Sequence, residues 1–186
     1  MAKDVIVNKN EEYSNGKYSI LNFTKDNSKF TRIVCNQESI CIIPFDVNEH
    51  NQIKNIYLAK YQDYVSDTES HKCVTCSLRP DEFSTFHESL VNCIDDELGL
   101  TDVDVNDLFY LGTIKHSVPF NKSYKCYAVN VTNYSDEVSG FTPNVINPDS
   151  RLHKIDKVRF NRIANGEIND SLALSGALLL LSYLSE

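Results

Sequence analysis

The chain has no tryptophan, no run of lysine or arginine, and no apolar stretch long enough to span a bilayer. Its longest apolar run, Leu172 to Leu184, is interrupted by Ser175, Gly176 and Ser182, and a membrane span needs about 20 residues. No Lys/Arg cluster and a formal net charge of -8 leave no broad field to attract a nucleic-acid backbone or an anionic membrane. The N-terminus, Met1-Ala2-Lys3-Asp4, leads into a polar stretch with no apolar core of a secretory signal, so the chain is expected to act inside a cell or in a virion and not to be secreted. Cys73 and Cys76 form one C-x-x-C but no second pair follows at zinc-ligand spacing, and Cys35, Cys41, Cys93 and Cys126 are scattered through apolar segments. Six such cysteines read as reduced thiols of an intracellular protein. Cys93 lies in no nucleophile elbow and has no assignable base, which makes it a buried, inert thiol. No repeat or low-complexity block is present.

What is present is an ordinary globular balance, 41% apolar and 24% charged over 186 residues, enough for one domain with a proper core. The usage of Asn, Lys, Ile, Asp and Tyr without Trp is that of an AT-rich genome and suggests a phage or a low-GC host.

One stretch organises the chain, Pro80 to Leu100. Phe83, Phe86, Leu90, Ile94 and Leu98 recur at the spacing of one buried helical face. Thr85 with Glu88 forms a capping box at the helix start, and Gly99 stands where the backbone turns left-handed to leave it. Asp95, Asp96 and Glu97 cluster at the C-terminal end, where carboxylates oppose the helix dipole. That placement hints at a metal ion; the plainer reading, which the residues favour, is a solvated acidic helix end.

Around this helix the alternation predicts strands over 17–23, 30–35, 39–45, 53–61, 71–78, 108–114, 123–131 and 152–160. Residues 1–15 read as a polar lead-in, 62–71 as a loop, and 133–150, with Gly140, Pro143 and Pro148, as a long surface loop. A last helix, Leu172 to Leu184, is capped by Asp170 or Ser171, and its leucines predict burial on most sides. Strands, helix, strands, helix make an α+β or α/β sandwich with a mixed sheet, with an N-terminal arm and antiparallel strands over 1–38 and the main domain over 39–186.

Three segments resemble the Nudix hydrolases, nearest to the subgroup acting on ADP-ribose. They are the hairpin Ile40–Phe45 and Ile56–Tyr64, the helix and turn Glu88–Leu100, and Gly166-Glu167-Ile168-Asn169-Asp170-Ser171, which is similar to the subgroup's G-x-I-x-D-x-x-T. The resemblance implies a Nudix-like α/β/α sandwich with an N-terminal antiparallel extension that in the subgroup helps build a homodimer. The family box, G-x5-E-x7-R-E-U-x-E-E-x-G-U, anchored on Gly99-Leu100, places its last acids on Asp96 and Glu97. It places its Arg-Glu pair on Asn92 and Cys93, its earlier Glu on Ser84 and its opening Gly on Leu78. The box is therefore degenerate. In the family the glutamates hold Mg²⁺ or Mn²⁺; here the matching triplet is Cys93, Asp96 and Glu97, and a thiol is a poor ligand for a hard ion. Glu88, on nearly one face with Asn92 and Asp96, is a weaker candidate ligand, and Asp136, Glu137 or Asp149 of the late loop would supply the further acid that the family's loop supplies.

His87 and His116 are candidate acid/base groups without an identifiable partner, and read as solvated or packed. Tyr57, Tyr61, Tyr64, Tyr110 and Phe120 suit base stacking but read more simply as core or cross-strand pairs. The expectation is thus a Nudix-like protein without hydrolysis, a structural, assembly or binding module in a phage setting, needing no cofactor. Its partners would be proteins or further copies of itself, with a nucleotide as a possible ligand. The alternative is a divergent Mg²⁺- or Mn²⁺-dependent hydrolase of a nucleoside diphosphate derivative using Asp96 and Glu97.

Overall fold

The computed structural model describes residues 8–14, 18–25, 28–35, 39–63, 68–77, 85–116, 120–143 and 150–185. Strand β4 (Ser39–Val47) runs through the middle of the molecule, with every residue from Ser39 to Asp46 buried. It is nearly all apolar because both of its faces are covered. Ile40 and Ile42 point to one side and Cys41, Ile43 and Phe45 to the other, the period-2 alternation of a strand.

Strand β5 (Ile53–Asp63) pairs antiparallel with β4 and with β10 (Ser150–Arg159), and β9 (Phe120–Asn130) pairs parallel with β4 along its length. Strands β1 (Asn8–Ser14), β2 (Tyr18–Lys25) and β3 (Ser28–Cys35) form an antiparallel meander that joins β9 through the parallel pairs Ile33–Phe120 and Val34–Asn121. Strands β6 (Glu69–Lys72), β7 (Val74–Ser77) and β8 (Leu108–His116) add to β5, β4 and β9, giving one mixed ten-stranded sheet. The order along its main path is β1-β2-β3-β9-β4-β5-β10.

Two helical layers cover the main sheet. Helix α1 (Phe86–Leu98) buries Leu90, Ile94 and Leu98 against Ile40, Ile42, Tyr57, Ala59, Val74 and Val129. On the opposite side α4 (Ser171–Leu184) buries Leu172, Ala173, Ala177 and Leu180 against Ile43, Phe45, Leu58, Cys126 and Ala128. Two short helices, α2 (Ser135–Val138) and α3 (Phe160–Ala164), complete the layers. Gly176 lets α4 lie close on the sheet, since a Cβ there would run into the Ile43 side chain. No helix among the described residues is long and apolar enough to cross a membrane.

Several expectations need correction. Asn8–Ser14 is a strand rather than a polar lead-in, because pairing to β2 is made by backbone and asks for no apolar pattern. The expected strand over 71–78 is two, β6 and β7, which pair with different neighbours on either side of Cys73; Leu78 lies outside the described residues. Within 133–150, Thr132–Tyr134 is a 3-10 turn leading into α2, and Val138 is fully buried in the α1-side core. A lone apolar residue in a polar stretch was the only signal for that turn. Phe86 is 37% exposed, at the edge of the helix face instead of within it. The largest departure is α4: Leu178 is 67% exposed, and Leu181 and Leu184 are also exposed. A leucine-rich helix lying on a sheet is covered from one side only.

Candidate functional site

The capping box at the start of α1 forms as expected. Thr85 is extended, the Glu88 N–H donates to its Oγ1 and the Thr85 N–H donates to Glu88 Oε2, both at 3.2 Å. At the other end Gly99 adopts φ 72°, its N–H donates to the Asp95 carbonyl at 2.8 Å, and the Phe141 ring occupies the space a Cβ would fill. These two caps set the length and the roll of the helix, and so the direction of every acid on it.

The three acids at the helix end separate sharply. Asp95 is half-buried and Asp96 is exposed, but Glu97 is 7% exposed. No basic residue stands in the last turn to offset them. Burial pushes the Glu97 carboxyl up, with Asp96 adding to the effect, to about 7. The reading of Asp96 and Glu97 together as a solvated acidic end thus holds for Asp96 and fails for Glu97. A roll of 100° per residue carries two adjacent side chains from solvent into the core.

The neighbours of Glu97 are thiols and a phenol. Cys93, one turn earlier, is buried and hydrogen-bonds Cys76 of β7. That bond, burial, and the negative charges of Glu97 and Asp96 push the Cys76 thiol up. Tyr61 of β5 stands in the same field; burial first, then Glu97, raises its phenol to about 12. Lys72 lies 5.2 Å from the Tyr61 ring centroid. A raised thiol and a raised phenol are neutral at physiological pH, so Cys76 and Tyr61 add no metal-binding charge beside Glu97.

The other candidates lie elsewhere. Glu88 is exposed and committed to the cap, and Asn92 Nδ2 donates back to the Glu88 carbonyl at 2.8 Å. Asp136 and Glu137 are exposed on α2, and His87 is exposed on α1. Asp149, Tyr64, Ser84 and the side chains of His116 and Phe120 fall outside the described residues. Tyr57 is fully buried; its hydroxyl donates to Asp46 Oδ2 at 2.8 Å in a network that Asn55 and Lys157 complete. It is a core residue, as its strand position suggested. Tyr110 is 52% exposed and packs on its cross-strand partner Tyr127 at 5.2 Å between centroids.

Whether the residues present fit a hard divalent ion can be tested on this geometry. Mg²⁺ asks for converging oxygens. Of the box triplet, Cys93 offers sulfur, Asp96 points to solvent and only Glu97 is an inward carboxylate. Among the described residues no group of three His, Cys, Asp or Glu converges in a way that could hold a metal. The described set does not fit the ion.

The C-x-x-C is resolved by strand geometry. Three residues apart on an extended chain, Cys73 faces the α4 side and Cys76 the α1 side, so the pair cannot share one ligand. Cys73 instead joins Cys41 and Cys126 beneath α4, with Cys41 and Cys73 Sγ atoms 2.9 Å apart and those of Cys126 and Cys41 3.9 Å apart. Burial pushes the Cys73 thiol up, and contact with Cys41 raises that of Cys126. Sequence alone offered no sign of this cluster, because it arises from the β4–β9 register that sets Cys41 opposite Cys126. The Gly166–Ser171 segment is structural in the same region: Asp170 Oδ1 accepts from Ala173 N at 2.8 Å, capping α4, and from Cys73 N at 3.1 Å. With β6 it lines a cavity of about 330 Å³.

Compared with protein-family models and with curated proteins, the sequence matches none. Solved structures are similar to it. The crystal structure of an ADP compounds hydrolase aligns over 100% of this chain and 96% of its own, with a TM-score of 0.61 at 10% identity. The NUDIX domain of Shewanella oneidensis NrtR, crystallised with ADP ribose, aligns over 80% of this chain and 88% of its own, with a TM-score of 0.54 at 6% identity. A mutT/nudix family protein from Listeria innocua aligns over 81% and 94%, with a TM-score of 0.50 at 11% identity. At such identities the likeness carries the fold and leaves the chemistry to the site. The mixed sheet between α1 and α4, with α1 closing on Gly99, is the fold of the Nudix hydrolases.

Proposed function

We propose that this Nudix-fold chain does not hydrolyse a nucleoside diphosphate and works as a structural, assembly or binding module, with a phage structural or accessory protein as its setting. The observation that carries the reading is the isolation of Glu97. Catalysis of this kind needs several oxygens acting as a unit on one ion, and groups that act jointly lose function together. Glu97 is the single inward carboxylate at its end of α1, beside two thiols and a phenol, while Asp96 faces water and Glu88 closes the cap. The phage setting is supported by composition alone.

A second reading has its own support. The ADP compounds hydrolase aligns with the whole chain, and a buried carboxyl raised to about 7 is poised to exchange a proton near neutrality. In this reading the chain is a divergent hydrolase of an ADP-ribose-like compound that recruits ligands beyond the described residues. A nucleotide sensor that binds without cleaving lies between the two. Purified protein incubated with ADP-ribose, dinucleotide polyphosphates and NADH, with Mg²⁺ or Mn²⁺, decides. The expected result is no turnover at high protein concentration. Turnover abolished in Glu97→Gln overturns the non-hydrolytic reading. Calorimetric titration with ADP-ribose, with and without Mg²⁺, then separates a sensor from a module that ignores nucleotides.

A further inference from the structure

We infer that Cys41 and Cys73 are a disulfide-forming pair, a covalent tie between β4 and the junction of β6 and β7. Both are free thiols, and their Sγ atoms stand 2.9 Å apart although the residues are 32 positions apart in the chain. A disulfide brings its sulfurs to about 2.05 Å, so the two must approach by less than about 1 Å. The surroundings favour that approach. Cys41 is fixed in the middle of a buried strand, opposite Thr75 of β7 on one edge and Cys126 of β9 on the other. Cys73 stands where the chain passes from pairing with β5 to pairing with β4. There its backbone N–H donates to Asp170 Oδ1 at 3.1 Å and its thiol donates to the Ile42 carbonyl at 3.4 Å, which turns the side chain toward β4.

Distance selects the pair. Cys126 is the rival partner, but its Sγ is 3.9 Å from that of Cys41, a full ångström farther than Cys73, and strand pairing fixes both backbones. Cys76 faces the other side of the sheet and cannot take part. The reaction is a two-electron oxidation with a peroxide as oxidant. One sulfur, as thiolate, attacks the O–O bond, becomes a sulfenic acid and releases one water; the second sulfur displaces that oxygen as another water, and the Sγ–Sγ bond forms. Cys73 is 3% exposed and Cys41 0%, and burial pushes the Cys73 thiol up, so bulky oxidants are kept out and the reaction waits on opening at the β6–β7 junction. The closed bond is shielded from reductants in the same way. It stabilises the fold by restricting the unfolded chain between the two cysteines. A chain carried out of the reducing cell in a particle would meet such oxidants; that setting rests on the assembly reading, while the bond itself does not.

The test is peptide mapping of the folded full chain, purified under reductant, freed of it, treated with hydrogen peroxide and quenched by alkylation. The expected product is a peptide joining Cys41 to Cys73, lighter by two hydrogens and separated again by a phosphine. The oxidised chain is expected to melt about 5 °C or more above the reduced chain. Cys73→Ala is expected to lose both the linked peptide and the gain in melting temperature, and Cys126→Ala to keep both. A folded wild-type chain that yields no linked peptide overturns the inference. So does a bond mapped to Cys41 and Cys126, or a Cys73→Ala chain in which Cys41 is still bridged. If Cys73→Ala does not fold, the wild-type map decides alone. Turnover of ADP-ribose, assayed on the reduced chain, bears on the non-hydrolytic reading and leaves the bond untouched, so the two proposals fail separately.

Discussion

Glu97 is the residue on which the chemistry of this molecule turns, and its burial has a measurable consequence. Its carboxyl is raised from 4.5 to about 7 in the folded chain. Between those values the folded state holds a proton that the unfolded state has released, so stability falls as pH rises through this window and the cost is complete above about 7. Glu97→Gln removes the charge while keeping the shape. It is expected to raise stability by about 2–3 kcal/mol at pH 8 and to leave it nearly unchanged at pH 4, so denaturant melts at the two pH values check it. Gly99 carries a second residue-scale prediction. Gly99→Ala meets both a left-handed φ of 72° and the Phe141 ring, and is expected to lose about 2–3 kcal/mol on thermal unfolding. The glycine was legible in the sequence as a helix stop; the ring against it was not, since Phe141 is 42 positions away and its approach depends on α2.

At the scale of elements, caps and a buried polar network hold the layers in register. Thr85→Ala removes one half of the capping box and is expected to cost about 1 kcal/mol, read as a lowered midpoint in urea. Asp46 matters more. It accepts from the Asn55 backbone and side chain and from Tyr57, and pairs with Lys157 at 3.2 Å, tying β4, β5 and β10 together. Asp46→Ala leaves those groups buried or half-buried without their acceptor and is expected to cost about 3 kcal/mol. In the sequence Asp46 stands only as a polar residue just past the expected strand over 39–45. Its charge partner Lys157 comes from β10, a strand about a hundred residues later that lies beside β5. Conversely, the α1 caps and the Asp170 cap of α4 were readable, because capping involves residues three or four apart and depends on little else.

For the whole molecule, charge and apolar surface act against each other. A net charge of -8 on each copy opposes self-association over a range that salt shortens, while contact between apolar surfaces carries no such repulsion. Self-association, as the assembly reading requires, is therefore expected to tighten when ionic strength rises from low salt to about 0.5 M, where the Debye length is only about 4 Å. An interface built on ion pairs would weaken instead, and sedimentation at the two salt concentrations distinguishes them.

The sequence by itself determined several elements: the buried strand over 39–45, the amphipathic helix closing on Gly99, the capped last helix, and the mixed sandwich they imply. Each rests on periodicity, capping and turn chemistry, which operate over a few neighbouring residues. Only the tertiary structure decided which of two adjacent acids is buried, which thiols meet, and which side of a leucine-rich helix is left to solvent. Asp96 and Glu97 are one bond apart in pattern and opposite in environment because the roll of α1 is set by what it packs on. Cys73 and Cys76, close in the chain, are parted by the sheet, while Cys41, Cys73 and Cys126, far apart in it, are brought together by strand register. Burial and electrostatic environment are properties of the packed layers, and no local pattern encodes them.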